Sequence, residues 1–194
     1  MLLAALLFPI GYALGMFPSA MLIARSKGVD IMKSGSGNPG ASNVIRVLGW
    51  RWGAIVMALD FVKGAMASGI GMAIAGRNGA YLLGIAAVVG HTFPLLRKGG
   101  KGVAAAGGML VVLYPLIVVA LSIGWVVISK VGRKASIASL VIIVAFPIAV
   151  AVGGYDVWEI VVISVISALL VARHSGNIRR LVRHEENDLT PKAA

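Results

Sequence analysis

The sequence contains no cysteine and no glutamine, and only seven of its 194 residues are acidic. Without cysteine, the chain has no disulfides, no thiolate metal sites and no cysteine nucleophile. The few carboxylates and the three histidines form no cluster along the sequence, so we expect no catalytic metal and no cofactor. Regular helical or strand alternation of apolar residues is also missing, because these residues are gathered into long blocks. This pattern excludes an ordinary soluble domain.

Hydrophobic residues make up 59% of the chain, and several of their blocks approach the roughly 20 residues that cross a bilayer as a helix. Alternating ten-residue strands are absent, so backbone hydrogen bonding in lipid favours helices over a closed barrel. The apolar blocks occupy residues 2–24, 52–75, 80–96, 103–129, 136–152 and 157–172. No basic segment precedes the first block, and we interpret it as a first span rather than a cleaved signal.

The positions of the basic residues indicate how often the chain crosses the membrane. With six crossings, the basic loop at 130–134 and the basic tail from Arg173 would lie opposite the other basic loops, against the positive-inside rule. Splitting the long block 103–129 near Pro115 removes this conflict. The sequence therefore predicts an all-α integral membrane protein, a bundle of seven transmembrane helices of which some are short or broken. We expect one domain over residues 1–194, with glycine-rich loops and the C terminus in the cytoplasm.

The net charge of +11 would suggest nucleic acid as the partner of a soluble protein. Here the cations lie in short loops beside apolar spans, so we expect the lipid bilayer as a partner and no nucleic acid. Inside the second span, Asp60 and Lys63 form a costly pair that must face the bundle interior. Lys63 is a candidate phosphate contact, although the pair could simply neutralise itself. We interpret His91 as an interface residue in preference to a proton acceptor.

Three segments interrupt the apolar pattern with glycine, small polar side chains and basic residues. Motif 1 is SGSGNPGASNVIR at 34–46. Its first part, 34–43, is too rich in glycine for a stable helix and offers backbone amides beside Arg46. Motif 2, RKGGKG at 97–102, places cations and glycines before a helix predicted to begin near Val103, as a phosphate cradle would. Motif 3, RHSGNIRRLVRHEEN at 173–187, follows the last span and puts two polar residues, His174 and Asn177, one helical turn apart.

Each motif also has a purely structural interpretation: a flexible loop at the membrane edge, a positive-inside turn, and a tail that binds anionic lipid. All three fall on the predicted cytoplasmic side, which favours one composite phosphate-binding site. Two other function classes stay open at this level. A small transporter or channel for an organic or phosphate anion would also use glycine and arginine, but no inverted repeat is visible. A lipid-binding scaffold would leave motif 1 without a role.

In this order and over nearly the whole chain, the three motifs resemble the bacterial acyl-phosphate:glycerol-3-phosphate acyltransferases, the PlsY family. The resemblance implies a multi-pass enzyme of the bacterial inner membrane with its active site at the cytoplasmic face. Such an enzyme moves a fatty acyl group from acyl phosphate to the 1-hydroxyl of glycerol-3-phosphate in phospholipid synthesis. The products are lysophosphatidic acid and inorganic phosphate, and no acyl-CoA, acyl carrier protein or other protein partner is required. Because acyl phosphate is already activated, we expect no covalent enzyme intermediate.

The residues and the resemblance together nominate a set of site residues. Predicted catalytic residues are Ser34, Arg46, His174 and Asn177, with His174 as candidate general base and a substrate phosphate oxygen as the alternative proton acceptor. Predicted substrate-binding residues are Ser36, Gly37, Asn38, Gly40, Ser42, Asn43, Lys63, Lys98, Gly99, Gly100, Lys101, Gly102 and Arg180. The resemblance implies a structural role for Glu186. The pair Ser175 and Gly176 departs from the family pattern, in which a charged pair is commoner.

Overall fold

A computed structural model describes residues 2–190, which form ten α-helices. They are α1 (Leu2–Leu6), α2 (Phe8–Gly15), α3 (Ser19–Arg25), α4 (Ala41–Leu48), α5 (Trp50–Thr92), α6 (Val103–Leu113), α7 (Pro115–Val131), α8 (Ala135–Val152), α9 (Val157–Arg173) and α10 (Ser175–Val182). The predicted all-α class is confirmed for these residues. Residue 1 and residues 191–194 of the predicted domain lie outside them. The chain divides into two compact units, of which the first runs to Pro115 and the second covers Leu116–Leu189.

Within residues 2–190, two helices, α5 and α8, are long and apolar enough to cross a membrane. The pair α9 and α10, bent by 57°, is a third candidate if it counts as one span. Two shorter apolar helices, α6 and α7, fall below that length. With 11 residues, α6 would extend about 16 Å, which is half of the roughly 30 Å hydrocarbon core. The number of seven crossings therefore stays a prediction.

The predicted first span, 2–24, is broken into three helices. Between α2 and α3, Pro18 has a non-helical conformation (φ −88°, ψ 56°). Proline has no N–H to continue the helical ladder, which is the physical reason for the break. The Phe17 carbonyl is left outside the ladder and accepts a hydrogen bond from Lys63 Nζ at 3.2 Å. The break thus places a backbone acceptor next to a charged side chain of α5.

Helix α5 spans 43 residues but consists of two arms, because Ala75 and Gly76 have non-helical backbone angles. Close packing between the arms requires glycine at two positions near this break. A Cβ on Gly71 would lie 2.0 Å from the Gly79 carbonyl oxygen, and a Cβ on Gly79 would lie 2.2 Å from that of Gly71. The arms therefore fold back on each other, as small residues permit for helices in membranes. The apolar blocks 52–75 and 80–96 are confirmed as separate helical segments, although the second ends at Thr92.

The split predicted near Pro115 is also confirmed. Tyr114 has non-helical angles (φ −141°, ψ 61°) and separates α6 from α7, which starts at Pro115. Helix α6 packs directly on the first arm of α5, where a Cβ on Gly108 would lie 1.8 Å from the Phe61 carbonyl oxygen. This contact fixes α6, and with it the loop that precedes α6, against α5.

The second unit contains α7 from Leu116 onward, α8, α9 and α10. Helices α8 and α9 coincide with the predicted blocks 136–152 and 157–172 to within one residue at either end. Sequence reasoning did not single out Glu159, which lies in the first turn of α9 and is only 2% exposed. A carboxylate at this position interacts favourably with the positive end of the helix dipole.

Candidate active site

Residues 34–40 of motif 1 form an irregular loop that leads into α4 at Ala41. The expectation that the glycine-rich stretch 34–43 forms no stable helix was wrong for residues 41–43, which follow its last glycine and belong to α4. Two of its glycines, Gly35 and Gly37, have φ angles of 58° and 62°, in the left-handed region that favours glycine. Gly40 adopts an extended conformation immediately before α4, and its carbonyl accepts the first hydrogen bonds of that helix. The glycines of the motif therefore serve a defined turn, in which the amides of Gly37 and Gly40 donate to the carbonyls of Ser34 and Asn38 at 3.0 and 2.9 Å.

Asn43 holds this loop in place from the first turn of α4. Its Oδ1 accepts a hydrogen bond from the Ser36 amide at 2.8 Å. Its Nδ2 donates to the carbonyls of Ile31 and Ser34 at 3.2 and 2.9 Å. The side chain is 1% exposed, so these bonds are shielded from water. The geometry gives Asn43 a loop-holding task, and its direct contact with substrate stays a prediction.

Motif 2 connects the second arm of α5 to α6. Gly102 has a φ of 87° and stands at the N-terminal boundary of α6, where its carbonyl accepts the amide of Ala106 at 2.8 Å. The Gly100 amide donates to the His91 carbonyl at 3.1 Å. The predicted helix start at Val103 is confirmed. A glycine turn with flanking cations thus precedes a helix N-terminus, where backbone amides favour anions.

Lys98 brings motifs 1 and 2 together. Its side chain is exposed, and its Nζ donates to the Gly37 carbonyl at 3.2 Å across 61 residues of sequence. A small pocket beside this contact is lined by Pro39 of motif 1 and by Arg97, Lys98 and Gly99 of motif 2. Two of the three motifs therefore border one cationic pocket in the first unit.

The same pocket is lined by a buried polar cluster, formed by Ser19, Asp60, Lys63 and His91. Lys63 Nζ lies 2.8 Å from Asp60 Oδ1 and 2.7 Å from His91 Nδ1. Ser19 donates its hydroxyl to Asp60 Oδ1 at 2.8 Å. The predicted interior position of the Asp60–Lys63 pair is confirmed, since the two residues are 3% and 6% exposed. His91 lies in the second arm of α5 and is buried beside Lys63. Its position at the membrane interface stays a prediction.

The other predicted site residues of the first unit are half-buried around these loops. Arg46 lies in the last turn of α4, Ser42 in its first turn, and Lys101 directly before α6. The backbone carbonyl of Asn38 accepts a hydrogen bond from the Gly40 amide at 2.9 Å. Their roles in binding and catalysis stay predictions.

Motif 3 lies in the second unit, and its helix does not continue as expected. Helix α9 ends at Arg173 and α10 begins at Ser175, so His174 stands at the bend between the two helices. Its carbonyl accepts the Ile178 amide at 2.9 Å, which keeps His174 and Asn177 within one helical turn. His174 is 2% exposed, and its Nδ1 lies 2.8 Å from the Leu170 carbonyl oxygen. A carbonyl can only accept, so in the neutral ring Nδ1 carries the proton and Nε2 keeps the lone pair. This tautomer is the one that a general base acting through Nε2 requires.

Glu186 is the centre of a hydrogen-bond network in the same unit. Its Oε1 accepts from Asn177 Nδ2 at 2.7 Å and from the Ser136 hydroxyl at 3.0 Å. Its Oε2 accepts from Arg180 Nε at 2.8 Å, and its backbone carbonyl accepts from Lys134 Nζ at 2.8 Å. The network agrees with the structural role that the family resemblance implied for Glu186. Asn177 and Arg180, two predicted site residues on α10, are therefore held by Glu186, which lies outside that helix.

Fold and site define the class as an all-helical integral membrane protein in which cations and glycine amides border a buried ion pair. The family model described as glycerol-3-phosphate acyltransferase matches residues 5–184, and the chain belongs to this family. The family predicted from the three motifs is thereby confirmed.

Relatives named glycerol-3-phosphate acyltransferase include one from Bacillus velezensis, 34% identical over 95% of this chain and 97% of the relative. Another, from Aquifex aeolicus, is 37% identical over 95% of this chain and 98% of the relative. The crystal structure of PlsY (YgiH), an integral membrane glycerol 3-phosphate acyltransferase, is similar in its glycerol 3-phosphate form, with a TM-score of 0.89 and 36% identity. That match covers 95% of this chain and 94% of the other. The lysophosphatidic acid form of PlsY has a TM-score of 0.87.

Proposed function

We propose that this protein transfers a fatty acyl group from acyl phosphate to the 1-hydroxyl of glycerol-3-phosphate, giving lysophosphatidic acid and inorganic phosphate. The proposal is carried by the similarity, over 95% of the chain, to an acyltransferase solved in a glycerol 3-phosphate form and a lysophosphatidic acid form. These two ligands are the acceptor and the product of this reaction. The acyl phosphate donor follows from the family resemblance of the three motifs.

The chemistry requires two anionic molecules to approach each other. Arg97 and Lys98 at the pocket offset the repulsion between their phosphate groups. The 1-oxygen of glycerol-3-phosphate then bonds to the acyl carbon while the bond from that carbon to the phosphate oxygen breaks. The phosphate leaves with the electron pair, so the enzyme needs no covalent nucleophile. The hydroxyl proton passes to a base.

We propose that motif 3 serves this same reaction. His174 supplies the base through Nε2, because its Nδ1 is engaged with the Leu170 carbonyl. Asn177 is held by the Glu186 carboxylate at 2.7 Å, which gives it a fixed orientation. Ser34 and Arg46 complete the proposed catalytic set. A substrate phosphate oxygen is the alternative proton acceptor, and the two are distinguished by the first experiment in the Discussion.

We further propose seven crossings of a bacterial inner membrane, with all three motifs and the C terminus in the cytoplasm. The chain contains no cysteine, so each single cysteine introduced is the only thiol of its variant. We expect a membrane-impermeant maleimide to label Asn78→Cys and Asp156→Cys in intact cells. Lys33→Cys and Glu185→Cys should react only after permeabilisation. Labelling of positions 33 and 185 in different compartments would contradict a shared cytoplasmic site.

The activity is tested with purified protein, acyl phosphate and radiolabelled glycerol-3-phosphate. We expect labelled lysophosphatidic acid and release of one phosphate per product, and no product when acyl-CoA replaces acyl phosphate. Absence of lysophosphatidic acid with both donors would refute the proposed function. If proteoliposomes instead equilibrate glycerol-3-phosphate across the membrane without acylating it, the protein is an anion transporter.

A further inference from the structure

The ammonium group of Lys63 donates all of its hydrogen bonds to groups inside the protein. Its Nζ contacts Asp60 Oδ1 at 2.8 Å, His91 Nδ1 at 2.7 Å and the Phe17 carbonyl at 3.2 Å. An ammonium group has three donors, so three acceptors saturate it. The residue is 6% exposed. A phosphate could bind Lys63 only by displacing one of these partners, which argues against the phosphate contact considered from the sequence.

The contact with Lys63 also fixes the His91 ring. Lys63 can only donate, so His91 Nδ1 accepts and its Nε2 carries the proton. Asp60 Oδ1 lies 3.6 Å from His91 Nδ1, beyond hydrogen-bond distance, so Lys63 is the closer partner. The Nε2 edge of the ring packs on Gly100, where a Cβ would lie 2.1 Å from Nε2. Gly100 is therefore held by the His91 ring as well as by the His91 carbonyl, which accepts its amide at 3.1 Å.

The charges of the buried polar cluster cancel. Asp60 balances Lys63, and the Ser19 hydroxyl supplies a second donor to the carboxylate at 2.8 Å. A buried charge without such a partner is strongly unfavourable, so the two residues depend on each other. The cluster consequently adds no net charge to the pocket. The cations left for an anion there are Arg97 and Lys98, which belong to the loop that His91 holds.

We propose that Asp60, Lys63 and His91 are positioning residues that hold the motif 2 loop, residues 97–102, in the conformation that binds the phosphate of glycerol-3-phosphate. The chain of contacts runs from Asp60 to Lys63, from Lys63 to the His91 ring, and from that ring to Gly100. This inference rests on the proposed function, because it names glycerol-3-phosphate as the ligand of the loop.

A double-mutant cycle tests the proposal. Lys63→Met keeps the length of the side chain without the ammonium group, and His91→Phe keeps a ring without Nδ1. We expect each variant to raise the KM for glycerol-3-phosphate roughly tenfold, the effect of losing a hydrogen bond to a charged group. The KM for acyl phosphate should change less than about twofold. Because both residues act through one contact, the double variant should equal the more affected single variant.

Three results would overturn the proposal. A roughly hundredfold, multiplicative rise in the double variant would indicate two independent phosphate ligands. An unchanged KM for glycerol-3-phosphate would show that the loop does not depend on the cluster. Equal rises in both KM values would indicate a distortion of the whole site that is not specific to the motif 2 loop. Lys33→Met is the matched control, because Asp30 and Lys33 have the same spacing as Asp60 and Lys63 but are 56% and 86% exposed.

A second measurement does not depend on activity or on the folding of variants. Nitrogen-15 NMR of the wild-type protein in detergent should show that Nδ1 of His91 is unprotonated and that its Nε2 is protonated. Protonated Nδ1 would overturn the proposal. A wild-type protein that makes no lysophosphatidic acid would instead refute the proposed function. In that case the His91 signals still decide whether the cluster is built as inferred.

Discussion

Replacement of His174 by asparagine separates the two possible proton acceptors. His174 is 2% exposed, and its Nδ1 lies 2.8 Å from the Leu170 carbonyl oxygen. The asparagine amide places an N–H donor near the same carbonyl but has no group that can accept a proton from the substrate. If His174 is the general base, His174→Asn should preserve the fold and slow the chemical step.

The magnitude follows from the role proposed. A positioned general base contributes about 10²- to 10⁴-fold in rate, which corresponds to about 2.7 to 5.5 kcal/mol of transition-state stabilisation. If the asparagine fails to reach the Leu170 carbonyl, the lost hydrogen bond costs about 1 kcal/mol of folding stability. We therefore expect a large fall in kcat, KM values near those of the wild type, and a small change in stability.

The assay measures kcat and both KM values, with thermal unfolding in detergent recorded in parallel. His184→Asn is the matched control, because His184 is exposed and has a φ of 59°, a conformation that asparagine tolerates. We expect wild-type kinetics for this control. Retention of most of the kcat by His174→Asn would refute the base assignment and leave a substrate phosphate oxygen as the proton acceptor.

Three further substitutions have expected outcomes that the contacts define. Glu186→Gln replaces one carboxylate oxygen by an NH2 group, which in either orientation faces the N–H donor of Asn177 or of Arg180. We expect the unfolding free energy to fall by about 1.5 to 3 kcal/mol. For the control Glu185→Gln, whose side chain is exposed, it should change by less than about 0.5 kcal/mol. Gly100→Ala should raise the KM for glycerol-3-phosphate roughly tenfold, because its Cβ would lie 2.1 Å from His91 Nε2, while Gly124→Ala meets nothing within 4 Å and should be neutral. Asn43→Asp should lower activity at least tenfold, because a carboxylate oxygen would face two carbonyls; activity equal to the wild type would show that the motif 1 loop does not need this side chain.

Local signals in the sequence predicted much of the helical framework. The start of α6 at Val103, the break at Tyr114 and the separate arms of α5 all coincide with glycine or proline, which act on the backbone at their own position. The first apolar block was predicted less well. Its length indicated one crossing, but Pro18 interrupts the ladder and leaves the Phe17 carbonyl to Lys63. No proline lies at the bend at His174, so the sequence predicted that the last span continues into motif 3 as one helix.

Contacts between distant residues could not be predicted in the same way. Lys63 and His91 are 28 residues apart, Ser19 and Asp60 are 41 apart, and Ser136 and Glu186 are 50 apart. The sequence indicated that Asp60 and Lys63 belong together, because their spacing places them on one helix face. It contained no local sign that His91 would join them.

The sequence alone determined the membrane class, the family and the segments that carry glycine and cations, because apolar length, backbone freedom and charge are properties of single segments. Only the tertiary structure decided which of those side chains meet. The fold of α5 back on itself buries His91 beside Lys63, and the Asn43 amide turns inward to hold the motif 1 loop. A buried polar group must find a partner wherever the fold provides one, and that choice depends on packing between elements that the linear pattern does not encode.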